Sequence, residues 1–478
     1  MTPSFDTCGN FGGPLLSRRA MLQRGGLGIG SLALTTLLAD EGRLLADAPD
    51  GQFDPARLTG KTKSVIVLFM GGGPSQVDTW DPKPLLNELN GKDVPESIAK
   101  DIPKIARAPL NNLYGSPYKF TKMGQSGIPV SALFPEIGKH VDDLCILRSC
   151  RHDSPIHAPA EYMSLTGTQV GDRPSLGAWI NYGLGSTNKN LPGFVLFLAG
   201  NSTRTAGWSS GFLPARYQAT IAQATGIPNL GMPAGSTSAG RKAQLELIAA
   251  LNERHREQVA GGSNLEARIR SYELAFRMQA TAPEVFDLAK ETAETKKLYG
   301  LEEKETADFG TYCLLARRLV ERGVRFVQIR SEGWDAHGNL PKNHDPKAKS
   351  VDRPIAGLLA DLKRTGLLDS TLVVWGGEFG RTPAAENPGS TPGRNHSPSG
   401  YSMWLAGGGV KGGQTIGATD PVGYAAVERP IHPNDLHATI LRAFGINQHR
   451  LYYRHNNRKE LLTVNGGQVI DEVFGAKG

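Results

Sequence analysis

Residues Ser64–Pro84 read "SVIVLFMGGGPSQVDTWDPKP": an unbroken apolar run stops at three glycines, and the chain then turns polar. A short β-branched run bounded by glycine is the pattern of a strand buried on both faces, which belongs in a parallel sheet covered by helices. The pattern recurs outward along the chain. "LCIL" (Leu144–Leu147), "GFVLFL" (Gly193–Leu198), "RFVQIR" (Arg325–Arg330), "TLVVW" (Thr371–Trp375) and "YSMWLA" (Tyr401–Ala406) predict further buried strands. Between them "LGAWINYGL", "YCLLARRLVERG" and "IAGLLADLKRTG" predict helices, the last two closing on a basic turn followed by glycine. The alternation implies an α/β fold with a mainly parallel sheet. Residues 241–300 are charge-rich and predict a helical insertion over the sheet, while 199–238, rich in Gly, Ser, Pro and Thr, predict a long surface loop.

Composition agrees with a large packed core. The chain has 478 residues, 39% of them hydrophobic, and its 58 glycines and 31 prolines imply many loops. The net charge of +7 is not gathered into a Lys/Arg tract with interleaved aromatics, so no nucleic-acid surface is expected; the charge mildly favours anionic substrates. Cys145, Cys150 and Cys313 lack CxxC spacing, which argues against a disulfide framework or a cysteine zinc site.

The N-terminus reads as an address. Arg18-Arg19 after Ser17, a glycine-softened apolar stretch over Leu27–Ala39, and Ala46-Asp47-Ala48 as a cleavage site predict a twin-arginine signal over residues 1–48. The mature chain would be 49–478, delivered by the twin-arginine machinery to the periplasm or outside the cell. The other reading, an anchoring helix, falls short of the ~20 apolar residues that a span needs, and no later segment reaches that length. Because this route carries folded proteins, the signal also hints at a metal loaded before export.

Ligands of open α/β sheets bind beyond the carboxyl ends of the strands. Those ends carry "GGGPSQVDTWDPKP", "RSCRHDSPIHAPAE", "SEGWDAHGNL" and "GGEFGRTP", and "GRNHSPSGY" precedes the strand at Tyr401. Of eleven histidines, His152, His157, His337 and His396 fall there, with Asp78, Asp81, Asp335 and Glu378. Imidazoles and carboxylates together suit a divalent metal such as zinc or manganese. Plainer roles stand beside this one: Asp335-Ala336-His337 as a turn, Glu378 as the ion-pair partner of Arg381, His396 in a turn, and Asp78 and Asp81 at a helix start. His432 and His437 are expected at a helix start and on the surface.

Taken as an ordered set, "SVIVLFMGGGPSQVDTWDPKP", "SLTG", "WDAHGN", "VVWGGEFGRTP", "GRNHSPSGYSMWLAGGGVKGGQTIGATD" and "DLHATILRAFGI" resemble the domain-of-unknown-function 1501 family, exported relatives of sulfatases in the alkaline phosphatase superfamily. The resemblance covers nearly the whole mature chain. It implies a doubly wound, alkaline phosphatase/sulfatase-like sheet with helices on both faces and metal at the strand ends. In sulfatases a C/S-x-P-x-R motif precedes Leu-Thr-Gly; counting back from Leu165-Thr166-Gly167 puts His157 in the nucleophile slot and Glu161 in the arginine slot. The metal-binding Asp residues expected after the first strand are replaced by Gly71-Gly72-Gly73, leaving Asp78 as the nearest carboxylate, and Glu378-Phe379 keeps one ligand of the superfamily's Asp-His or Asp-Asn pair. Asp335, His337 and His396 resemble the ligands of another superfamily metal.

The expectation is an exported, metal-dependent hydrolase of sulfate or phosphate esters, acting on a small-molecule or glycan ester of anionic character. His157 and Glu161 are its catalytic candidates. Asp335, His337, Glu378, His396 and Asp78 are the candidate ligands of a divalent ion: zinc, calcium or manganese. If a short helix begins at Ala158, His157 and Glu161 would share one of its faces. The alternative is a non-catalytic metal- or glycan-binding protein on the same fold. Replacing Arg18 and Arg19 by Lys is predicted to leave unprocessed precursor in the cytoplasm, read by fractionation and immunoblot; normal processing and periplasmic recovery would refute the signal.

Overall fold

The apolar runs form strands because alternate side chains can be buried on opposite faces of one sheet. In the strand at Ser64–Gly71 (β1), Ile66, Leu68 and Met70 enter one core, while Val65, Val67 and Phe69 enter the other. The computed structural model describes residues 59–475 apart from 104–108, 200–206, 229, 390 and parts of 232–262; the signal read at 1–48 lies outside the described residues.

Nine further strands matter to the site and its frame. They are β2 (Leu144–Cys150), β3 (Phe194–Ala199), β4 (Thr220–Ala222), β5 (Phe326–Glu332), β6 (Thr371–Gly376), β7 (Gly380–Glu386), β8 (Gly393–Ser397), β9 (Tyr401–Ala406) and β10 (Gln414–Ile416). Eight of the ten make the central sheet in the order β10-β2-β9-β6-β1-β5-β3-β4, and β7 and β8 form a separate antiparallel pair. Every neighbour in the sheet is parallel except at β9, which runs against both β2 and β6. Gly71 pairs with Glu332 and Phe69 with Gly376, so the loops after the three central strands open side by side. The reversed β9 brings its amino end to that same edge.

Helices cover both faces: α1 (His157–Thr166), α2 (Leu176–Leu184), α3 (Ser263–Phe286), α4 (Ala307–Glu321), α5 (Leu340–Arg364) and α6 (Pro433–Ala443). One core gathers α4 and α5 with Trp80, Trp375, Trp404 and Phe134, Trp80 stacking on Phe134 with 5.2 Å between ring centroids. The other gathers α2 and α6. Within residues 241–300, expected to be helical, α3 contributes Met278, Ala282, Val285 and Phe286 to the first core. No described helix is long and apolar enough to cross a membrane.

Three expectations need correction. Residues 199–238 are not wholly loop, since β4 adds to the open edge of β3, whose unpaired backbone groups a short Thr-Ile-Ala segment satisfies. Helix α5 begins fifteen residues before Ile355 and contains Pro346 and Pro354; Asn339 caps it by accepting from Lys342 N, and burial of His344, Ala348 and Val351 holds its first half in place. His437 is buried, not on the surface, and its Nε2 donates to Ser164 O at 2.8 Å, fastening α6 to α1.

Two glycines allow the close approaches beneath the site. Gly72 has φ +113°, and a Cβ there would meet Asp335 N at 2.6 Å, so only glycine lets the loop after β5 settle on the loop after β1. A Cβ on Gly393 would meet the His337 carbonyl carbon at 2.2 Å.

Burial holds His437 down at about 4, below its ordinary value and against the bond to Ser164, so it stays neutral in the fold. A depressed folded value means stabilisation that is present above the unfolded value near ~6.5 and is lost as pH falls toward the folded one. His437→Gln is therefore predicted to lower the melting temperature at pH 7, with the gap to the parent narrowing as pH falls to 5. A gap that stays constant across that range would contradict this.

Candidate functional site

Three imidazoles and one carboxylate converge at the shared strand-end edge. His157 opens α1 after β2, Asp335 and His337 follow β5, and His396 sits on β8 just ahead of the reversed β9. One donor atom from each of the four lies within 4.8 Å of every other.

The Nδ1 atoms decide how the rings face. His157 Nδ1 is 2.6 Å from Glu378 Oε1, His337 Nδ1 is 2.5 Å from Glu386 Oε2, and His396 Nδ1 is 2.6 Å from the carbonyl oxygen of Pro155. Each partner can only accept, so each Nδ1 is the donor there and each ring turns its Nε2 to the centre. There His337 Nε2 and His396 Nε2 are 3.0 Å apart, and Asp335 Oδ1 lies 2.9 and 3.2 Å from them. His157 Nε2 comes within 3.1 Å of Asp335 Oδ2 yet is buried without a hydrogen bond. Three Nε2 atoms crowded against one carboxylate call for positive charge among them, whether carried by ring protons or by an ion. A divalent ion supplies that charge, and histidines oriented from behind by carboxylate or carbonyl are the usual support of such ions. The residues present therefore fit a metal.

Electrostatics point the same way. Burial works against charge on His157, but Asp335 and Glu378 outweigh it and push the ring up to about 9. Burial would raise the Asp335 carboxyl, yet His157, His396 and Arg381 hold it far below the usual carboxylate range. Burial would likewise raise Glu378, and His157 and the Gly72 N–H keep it below its ordinary value.

Arg381 is the buried brace under this cluster. It donates through Nε to Gly73 O at 3.0 Å, through Nη1 to Arg394 O at 3.2 Å, and through Nη2 to Gly72 O and to Asp335 Oδ1. It pairs with Asp335, not with Glu378. Glu378 stands one bond behind the centre, receiving Gly72 N–H at 3.0 and 3.2 Å and bonding His157.

The remaining candidates lie elsewhere. Asp78 is fully buried in a two-oxygen pair with Arg394, at 2.7 and 3.2 Å, and also accepts from Ser75 Oγ; its oxygens already have donors and do not join the cluster. Glu161 does not orient His157: its Oε2 meets Arg330 Nη2 at 2.8 Å with both side chains buried, because α1 turns that position inward toward β5. His152 is also structural, bonded to Ala160 O and Ser154 N. Asp81 pairs with Lys83 at 3.1 Å. Glu386 and the bracing role of Arg381 escape a reading of the sequence, because both depend on the β7–β8 register, which sets Gly393 opposite Glu386 and His396 opposite Arg381. Asp78→Ala is predicted to cost about 3–5 kcal/mol by leaving Arg394 buried without its counter-charge. A loss under 1 kcal/mol by chemical denaturation would contradict the structural role.

Comparisons with known proteins come from folds and from one family. No curated protein matches the sequence. Among solved structures the chain is similar to a phosphonate monoester hydrolase from Silicibacter pomeroyi, with 12% identity, 87% of this chain and 77% of that one covered, and a TM-score of 0.36. It is also similar to alkaline phosphatase from the Antarctic bacterium TAB5, with 12% identity, 82% and 100% covered and a TM-score of 0.34. A sulfatase from Pseudoalteromonas sp. is similar at 13% identity, 87% and 70% covered and a TM-score of 0.29. The match that spans the sheet, the four converging residues and the hairpin behind them runs over residues 62–474, and by it the chain belongs to the family described as Protein of unknown function (DUF1501).

Proposed function

We propose that the protein is a metal-dependent hydrolase of sulfate or phosphate esters, exported by the signal read at residues 1–48. One observation carries the reading: three Nε2 atoms and Asp335 converge, each Nδ1 held from behind by an acceptor. His157, Asp335, His337 and His396 would hold the ion. Imidazole-rich donors favour zinc over calcium, which takes oxygen ligands. When bound, such an ion polarises an ester oxygen and lowers the pKa of a water.

The chain's own residues do the positioning. Glu378 and Glu386 retain the Nδ1 protons of His157 and His337 and so keep both Nε2 lone pairs available. Arg381 fixes the rotamer of Asp335 from below. Glu161, committed to Arg330, takes no part in proton transfer here, and the imidazole of His157, held from behind by Glu378, serves as a ligand.

A second reading has its own support. Four protein donors would fill a tetrahedral ion, and filled sites are structural, whereas catalytic ones keep a position open. The protein would then be a metal-holding binding protein on this fold.

Chelation is predicted to lower the melting temperature of the parent protein but not of His337→Ala, since an ion bound only to the native state stabilises it by mass action. Metal per chain should fall at least tenfold in that variant; unchanged metal content would remove the assignment. The readings part over His157→Ala and a panel of aryl sulfate, phosphate monoester and phosphodiester substrates. The hydrolase reading expects turnover by the parent and a loss of about 10²-fold or more in the variant. Full metal occupancy with no turnover on any substrate favours the second reading.

A further inference from the structure

We propose that His337 is an exchangeable ligand, one that gives up its place in the cluster to an anionic oxygen of the substrate, an inference that rests on the metal-dependent reading above. Four protein donors fill a tetrahedral ion, whereas a catalytic ion needs a position for its ester. Both demands are met when one of the four is built to leave. His157, Asp335, His337 and His396 are not held alike, and the difference falls on His337.

Exposure separates them first. The His337 side chain is 41% exposed, against 16% for His157 and 15% for His396. What stands behind each ring separates them again. His157 is held by Glu378, which is fully buried and itself fixed by the Gly72 N–H. His396 is held by the main-chain carbonyl of Pro155, which cannot turn away without moving the chain. Both rings also lie against Phe379, with centroids 4.9 and 4.6 Å away. Asp335 faces solvent, but Arg381 beneath it is wholly buried. Behind His337 stands Glu386, a carboxylate 29% exposed at the last residue of β7, and among the described residues its one ring neighbour is His396, at 4.7 Å. Water competes for a carboxylate in that position, so this brace is the weakest of the set.

Release needs no movement of the loop. Arg394 N donates to Ala336 O at 2.9 Å, Asn387 Nδ2 to His337 O at 3.2 Å and Asn339 N to Thr391 O at 3.0 Å, so the backbone on both sides of His337 is tied to the β7–β8 hairpin. The ring alone turns, about its own two side-chain torsions, toward the solvent it already meets. The place it leaves lies on the exposed side of the cluster, beside the 38% exposed Asp335, and that is the side from which an ester arrives. The exchange is of one donor atom for another: Nε2 leaves, an oxygen of the anion enters, and no proton is transferred. The number of donors stays at four, so the exchange agrees with the loss of metal expected for His337→Ala, where no donor replaces the ring.

The test uses the full mature protein loaded with one cobalt(II) per chain, with inorganic phosphate as the probe and coordinated imidazoles counted from their hyperfine-shifted proton resonances. Saturating phosphate is expected to lower the count from three to two in the parent. Glu386→Ala, loaded in excess cobalt, is expected to bind phosphate at least threefold more tightly, because a ring without its brace is given up more readily. Glu386→Gln, whose amide oxygen still accepts from Nδ1, should return to within twofold of the parent. Three imidazoles retained in the phosphate complex would overturn the proposal, showing that phosphate enters as an additional donor. So would equal phosphate affinity in the parent and Glu386→Ala, or failure of Glu386→Ala to take up cobalt, since a ligand that is given up cannot be indispensable. No phosphate binding by a parent that holds its cobalt would overturn it and favour the second reading. Turnover of the panel esters with three imidazoles retained would leave the hydrolase reading standing without the exchange. Exchange without turnover of any of them would sustain the exchange while the hydrolase reading failed.

Discussion

The guanidinium of Arg381 is the contact on which the strand-end edge depends. It is buried under the site and reaches the loop after β1 through the carbonyls of Gly72 and Gly73, the loop after β5 through Asp335, and β8 through the Arg394 carbonyl. Each of those segments carries or abuts one member of the cluster. A buried cation with this many fixed acceptors holds two loops and β8 in one arrangement, and with them Asp335, His337 and His396. A second arginine repeats the device: Arg394 locks the helix start at Asp78 onto the same hairpin and lies 4.6 Å over the ring of Tyr114.

Direction of chain supplies the rest. In an all-parallel sheet, the residues before a strand would lie at the opposite edge from those after its neighbours. Reversal of β9 brings His396, which precedes it, beside Asp335 and His337, which follow β5. Three imidazoles set against one carboxylate call for positive charge at the centre. That demand for positive charge explains why His157 is held well above the usual imidazole range by Asp335 and Glu378 despite its burial.

The sheet was legible in the sequence because burial on both faces leaves unbroken apolar runs that end at glycines. His157, Asp335, His337 and His396 were legible because strand ends are where a parallel sheet presents side chains. Asp78 and Glu161 were misjudged for a shared physical reason. A carboxylate close to a candidate site in sequence looks available until its counter-ion is known, and Arg394 and Arg330 lie more than 160 residues away. Glu378 and Glu386 act through the rings they hold, and a one-residue change of register would turn Glu386 to the other face of its strand. Such information resides in pairing, which local pattern does not carry.

The central claim is that one divalent ion completes this cluster. It is tested most directly by a crystal structure of the purified protein with diffraction recorded on both sides of the zinc absorption edge. The account predicts a single anomalous peak bounded by the Nε2 atoms of His157, His337 and His396 and by Asp335. A map with no peak there, or an ion held instead by Asp78 or Glu161, would contradict it.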